Sequence, residues 1–148
     1  MKTYTHNFQV RAPIEHVAEF HRDTRALKQL TPPPLIVQFN EVQPLDEGSV
    51  ADFTMWLGPF PIHWVASHSD VEVSKGFTDT QIDGPFDHWV HRHSFASLEE
   101  NLTEVKDHIQ ARPGKGFPRG LVSRFMWLNL PILFAYRAWR TKQAVETK

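Results

Sequence analysis

The chain contains no cysteine. That excludes a disulfide framework and a thiolate metal site. It also lacks a charge excess: 16 Lys and Arg face 17 Asp and Glu, for a formal net charge of -1. With Lys and Arg spread along the chain, the overall balance makes no electrostatic case for nucleic acid. Long hydrophobic runs are missing too. The apolar stretch from Phe125 to Tyr136, between Arg124 and Arg137, is too short for a bilayer span of about 20 residues. Met1-Lys2-Thr3-Tyr4-Thr5-His6 has no apolar core of a signal peptide, so a cytoplasmic location is the expectation. There is no internal repeat and no linker long enough to separate domains. What is present is 41% hydrophobic and 12% aromatic residues over 148 positions, the make-up of one globular domain, 1–148, with a real core.

Alternation over residues 3–11 (Tyr4, Asn7-Phe8, Val10) predicts a first strand, ended by Ala12-Pro13. Proline suits the first turn of a helix, and Ile14, Val17, Ala18 and Phe20-His21 follow at helical spacing. A second short helix carries Leu27 and Leu30 and stops at Thr31-Pro32-Pro33-Pro34. From 35 to about 112 the pattern is strand, broken at Pro44–Gly48, Gly58–Pro61, Lys75-Gly76, Gly84-Pro85 and Glu99–Asn101. Such spacing with short turns predicts an antiparallel meander. The exposed edge at 35–44 would allow a homodimer as well as a monomer. After Arg112–Gly116 the period becomes helical: Leu121, Phe125, Leu128, Ile132, Tyr136 and Trp139 recur every three or four residues. Pro131 should kink or split this helix near Asn129. Helices bury their stripes only against the sheet, and a long antiparallel sheet coils. The expected class is therefore α+β, a curved sheet of about seven strands wrapped around a long C-terminal helix. Two short helices lie between strands 1 and 2, and there is room for a cavity between sheet and last helix.

The organising stretch is Asp83-Gly84-Pro85-Phe86-Asp87-His88-Trp89-Val90-His91-Arg92-His93-Ser94-Phe95. In an extended strand Trp89, His91, His93 and Phe95 share one face. Two imidazoles between aromatic residues are too polar for an ordinary core and too apolar for open water. If the following turn centres on Glu99–Asn101, Phe95 faces Val105 and His93 faces Asp107. If the preceding one centres on Pro85, Asp79 faces His91 and Gln81 faces Trp89. A one-residue slip would send these partners to the other face.

The element order resembles the helix-grip fold of the START/Bet v 1-like (SRPBCC) superfamily. It is most similar to small bacterial proteins of the ligand-binding or polyketide cyclase/dehydrase-like group. The resemblance runs over nearly the whole chain. It is carried by Leu30-Thr31-Pro32-Pro33, Gly48, Pro61-Ile62-His63-Trp64, Phe77-Thr78-Asp79-Thr80-Gln81 and Gly84-Pro85-Phe86. It continues in Trp89-x-His91-x-His93-x-Phe95 and Thr103-x-Val105-x-Asp107. Ile109 departs from it, standing where a tyrosine would be expected. The resemblance implies binding of a hydrophobic or amphipathic small molecule, with enzymatic activity in only some branches.

His91, His93, Asp79, Asp107 and Gln81 would then orient a ligand's oxygen atoms, while Trp89, Phe95 and Trp64 supply apolar contact. From the last helix Phe125, Leu128, Ile132 and Tyr136 would line the cavity. The same polar residues would equally make a satisfied network that only fixes strand register. Two further readings stay open: His91 or His93 with Asp107 as acid–base groups of a cyclase or dehydratase, and His-x-His with a carboxylate as a divalent-metal site. No nucleophile motif accompanies them, and neither a metal nor a cofactor is required. His63 is expected to reach the pocket or its edge. His6, His16, His21, His68, His88 and His108 are expected at surface or edge positions. Arg119, Arg124, Arg137 and Arg140 suggest a solvated helix face, or cations at the cavity mouth. The basic, aromatic helix also allows peripheral membrane contact, and an interaction domain with a filled core is a further rival.

Overall fold

In the computed structural model, which describes residues 1–146, seven strands and three α-helices surround two apolar clusters. Strand β1 (Lys2–Val10) alternates outward and inward side chains until Val10, which is fully buried. Pro13 opens α1 (Ile14–Arg22), which buries Val17 and Ala18. The Asp23 carboxylate then accepts from the Arg25 backbone N–H at 3.0 Å and starts a 3-10 turn, Thr24–Lys28.

Six consecutive antiparallel strands follow: β2 (Leu35–Val42), β3 (Val50–Leu57), β4 (Phe60–Glu72), β5 (Gly76–Asp83), β6 (Phe86–Glu99) and β7 (Leu102–Pro113). The sheet order is β1-β7-β6-β5-β4-β3-β2, so β1 returns to pair with the last strand while β2 forms the opposite edge. Period-two burial is clean in β3 and β7: Ala51, Phe53 and Met55 face inward, as do Thr103, Val105, Asp107, Ile109 and Ala111. The register across β6 and β7 pairs Phe95 with Val105 and His93 with Asp107, and β5 pairs Asp79 with His91. These are the pairings the turn centres predict.

The helical cap is α2 (Arg119–Leu128) and α3 (Leu130–Val145), broken at Asn129 beside Pro131. At 1.5 Å per residue α3 is about 24 Å long and lies across the concave face. Arg119 fixes the start of the cap. Its guanidinium pairs with Asp87 and donates to the carbonyls of Gly84 and Phe86, tying α2 to the turn between β5 and β6.

Which face of the cap is buried differs from the sequence expectation. Leu130, Phe134, Ala138 and Thr141 are the buried positions of α3, and Gly120 and Ser123 those of α2. Phe125, Leu128 and Ile132 point to solvent at 58%, 77% and 67% exposure, and Tyr136 is only half-buried. The inward positions carry small and polar side chains as well as Leu and Phe, so the stronger periodic signal belongs to the outer face. The break at Asn129 further resets the phase between the two helices. Phe125, Leu128 and Ile132 are therefore not lining residues.

Candidate functional site

Six polar side chains form an unbroken row across the concave face. Ser49 Oγ lies 2.9 Å from His68 Nδ1, and His68 Nε2 lies 2.7 Å from Asp79 Oδ1. The other Asp79 oxygen accepts from His93 Nε2 at 2.7 Å. His93 Nδ1 reaches Asp107 Oδ1 at 3.2 Å, and the same oxygen accepts from His91 Nε2 at 2.8 Å. Each carboxylate thus serves two imidazoles, and His93 joins the two carboxylates. Asp79 stands opposite His91 in the backbone register but gives its oxygens to His93 and His68. The two pairs expected from the sequence are in fact one network.

The strands place these groups through alternation alone. His91 and His93 leave β6 on the inward face and stack at a centroid separation of 3.8 Å. Phe77 of β5 covers the other side of His93 at 4.4 Å. Gly76 makes that approach possible. It has φ of +135°, and a Cβ there would stand 1.9 Å from the His93 carbonyl oxygen. Only glycine permits both the conformation and the contact.

Burial and partners set the charges. Burial alone would lower the His93 pKa, but hydrogen bonds to Asp107 and Asp79, and their charges, outweigh it and raise it to about 9. His91 goes the other way, to about 4, because burial and the charge on its stacked neighbour exceed the pull of Asp107. Both carboxyls resist the upward push of burial: Asp79 is held far below the ordinary range by His68 and His93, and Asp107 by His91 and His93. Near neutral pH the row therefore holds an imidazolium shared by two carboxylates, next to a neutral imidazole.

Sequence reasoning missed two members of the row, Ser49 and His68, and one neighbour, His21. His68 is 4% exposed and bonded within the row, not at an edge. Trp64, Ala66 and His68 share the inward face of β4 at period two, a signal present in the sequence. His21 is also interior. Its ring lies 4.9 Å from Phe95 and 6.5 Å from His93, and its Nδ1 bonds the Val17 carbonyl at 2.9 Å. Burial takes its pKa down to about 4. Arg137 departs from the expected solvated face as well. It lies over the Phe134 ring at 5.3 Å, donates to the Leu30 carbonyl, and burial lowers its pKa.

The remaining expected residues divide. Trp64, Phe86 and Trp89 form an aromatic cluster with centroids 4.7–6.0 Å apart, on the same face as the ionic row. Phe95 is buried in the second cluster, against α1. Gln81 spends its amide on the Phe86 backbone, accepting at 3.0 Å and donating at 2.7 Å, and so closes the turn before β6. His63 lies on the outer face between Asp52 and Asp83.

In place of an open hollow under α3, side chains meet. Phe134 stands 5.5 Å from His91, 5.6 Å from Tyr4 and 5.8 Å from His6. A small, partly open cleft of about 10 Å³ lies beside α1, β5 and β6, lined by Ala18, Leu45, Phe77 and Phe95. That is the space of a single water. A solvent-open groove of about 440 Å³ lies elsewhere, lined mainly by polar residues of α1 and the β2–β3 turn. Beneath the cap, His6 Nδ1 is buried without a hydrogen-bond partner among the described residues.

Asp79, His91 and His93 also offer ligand atoms within 4.8 Å of one another. Two of these groups already donate to carboxylates through Nε2, so a metal would have to displace the hydrogen bonds that hold the row.

No protein-family model and no curated protein matches the chain. Solved structures do. A Chromobacterium violaceum protein superposes with a TM-score of 0.79 at 14% identity, covering 100% of both chains. The Zhui aromatase/cyclase of a Streptomyces species gives 0.72 at 13% identity, covering 96% of this chain and 92% of its own. A START superfamily protein from Mycobacterium smegmatis gives 0.69 at 14% identity, covering 95% and 97%. The chain has the helix-grip fold of the START and Bet v 1-like proteins.

Proposed function

We propose that the protein binds a hydrophobic or amphipathic small molecule between the concave face of its sheet and the α2–α3 cap. The observation that carries this reading is the composition of that face. A buried ionic row, costly to desolvate, lies beside the rings of Trp64, Phe86 and Trp89 and under a single broken helix. Apolar walls with a few fixed polar groups are how small-molecule sites are built. The unpartnered His6 Nδ1 supplies a further polar contact under the same cap. Phe134 fills the space beneath the cap against Tyr4, His6 and His91, so entry requires the cap to move away from the sheet. Partly buried Leu27, Phe39, Ile62, Met126 and Leu133 pack against the apolar cluster. Native mass spectrometry of the purified protein, with extraction of whatever co-purifies, tests this. A bound hydrophobic species released on unfolding supports it. Apo mass throughout, together with no response to a titrated amphipathic dye such as anilinonaphthalene sulfonate, overturns it.

Acid–base catalysis of cyclase or dehydratase type is the second reading, favoured by the opposite pKa directions of stacked His91 and His93. Pushing two neighbouring groups apart is how one site holds both an acid and a base. A turnover pH profile that is flat, or unchanged by His93→Gln, removes it.

A further inference from the structure

The cap turns its larger apolar side chains outward. Phe117 leads into α2, Leu121, Phe125 and Leu128 follow, and Ile132 and Trp139 continue along α3, each more than half exposed. At roughly 100° per residue, Leu121, Phe125 and Leu128 fall within about 60° of one another, and Ile132 and Trp139 within about 20°. Isolated exposed hydrophobics are ordinary, but an apolar stripe on each of two successive helices marks a contact surface.

Charge supplies the second observation. Lys and Arg are spread along the chain, but Asp and Glu are not: residues 108–145 hold seven Lys and Arg and no acid. The chain before them is net negative. Arg119 is committed to Asp87 and Arg137 to the interior, while Lys115 and Arg124, which flank the apolar residues in the cap sequence, stand exposed. The Arg140 guanidinium lies 5.8 Å from the Trp139 ring centre. An apolar stripe edged by cations and aromatic rings is the pattern of a helix lying in a lipid interface. Two copies meeting through this face would oppose like charges, which disfavours a dimer as its occupant. Among the described residues no helix is long and apolar enough to cross a bilayer, so contact would be with the surface.

We propose that α2–α3 docks on an anionic lipid surface. Phe117, Leu121, Phe125, Leu128 and Ile132 enter the headgroup–acyl boundary, and Lys115 and Arg124 meet lipid phosphates. This stands apart from whatever the interior binds. The test is flotation of the full chain with vesicles of phosphatidylcholine alone or mixed with phosphatidylglycerol. The expected result is binding to the mixed vesicles only, weakening steeply as salt is raised. Each basic residue removed should weaken partition roughly fivefold, so the double variant Lys115→Gln, Arg124→Gln should lose about 25-fold. Phe125→Asn with Ile132→Asn should lose at least about tenfold with unchanged circular dichroism, since both side chains are exposed. Absence of flotation, or equal binding to neutral vesicles, overturns the proposal. So does a solution dimer abolished by Phe125→Asn, which would assign the face to a second copy. The salt and lipid dependence of the wild-type chain decides the matter even if a variant fails to fold.

Discussion

Stability on the alkaline side should depend chiefly on one buried proton, that of His93; the exposed His63, raised by Asp52 and Asp83, adds a smaller, solvent-screened share. An unfolded imidazole titrates near 6.5, and the folded one is raised to about 9 by Asp107 and Asp79 against the opposing effect of burial. Below pH 6.5 both states are protonated and the contribution is whole. Between 6.5 and 9 only the folded state keeps the proton, so stability falls as pH rises; above 9 the contribution is gone. A displacement of that size corresponds to about 3 kcal/mol. The groups facing His93 from the packed elements are Asp79 of β5, His91 of β6, Asp107 of β7, His21 of α1 and Arg137 of α3. Arg137 stays charged throughout this range, and His21 and His91, both lowered to about 4, are already neutral over most of it. The assay is urea unfolding followed by tryptophan emission, at closely spaced pH values and constant ionic strength. Wild type should lose about 3 kcal/mol between pH 6.5 and 9. His93→Gln should be less stable near neutrality by about 3–5 kcal/mol, since two buried carboxylates lose their shared cation, and most of its alkaline decline should disappear, leaving the small share of exposed His63. A flat wild-type profile, or an equal slope in His93→Gln, would show that this imidazolium is not what joins the sheet.

On the acid side the sign reverses, because His91 and His21 are lowered to about 4. Their contributions should be whole above 6.5 and fade as pH falls through 4, and ring-proton NMR should find both neutral near pH 5.5 if the assignment holds. Phe134→Ala should cost about 3–5 kcal/mol in chemical unfolding, and the space opened beside His91 should increase dye binding; a loss under about 1 kcal/mol would mean the cap is not anchored there. Gly76→Ala should cost more than about 2 kcal/mol, through its φ and the clash with the His93 carbonyl. Gly58→Ala, at positive φ but in open space, should cost only about 1–2 kcal/mol, and equal thermal shifts for the two would contradict the close approach at position 76.

The sheet and its register were legible because turns and alternation speak locally. Gly84-Pro85 and Glu99–Asn101 bound β6, and period two then places His93 against Asp107 without knowledge of any other contact. The outer row member His68 and the neighbouring His21 were harder to see. They come from β4 and α1, distant in sequence, and a lone histidine carries no local sign of burial. The cap was misleading for a different reason. Gly120, Ser123, Ala138 and Thr141 face inward because the backbone lies close to the sheet there, while Leu121, Phe125 and Leu128 face out. Hydrophobic periodicity finds the more apolar stripe, and in this cap that is not the buried one.

A row in which Asp79 and Asp107 are each held in common has no spare members. Replacing His68 changes what Asp79 can offer His93, and that change passes on to His91 through Asp107. Paired substitutions on β4 and β6 should therefore combine less than additively, although those strands are not adjacent in the sheet. Descendants of this chain would have to alter several of these positions together or none.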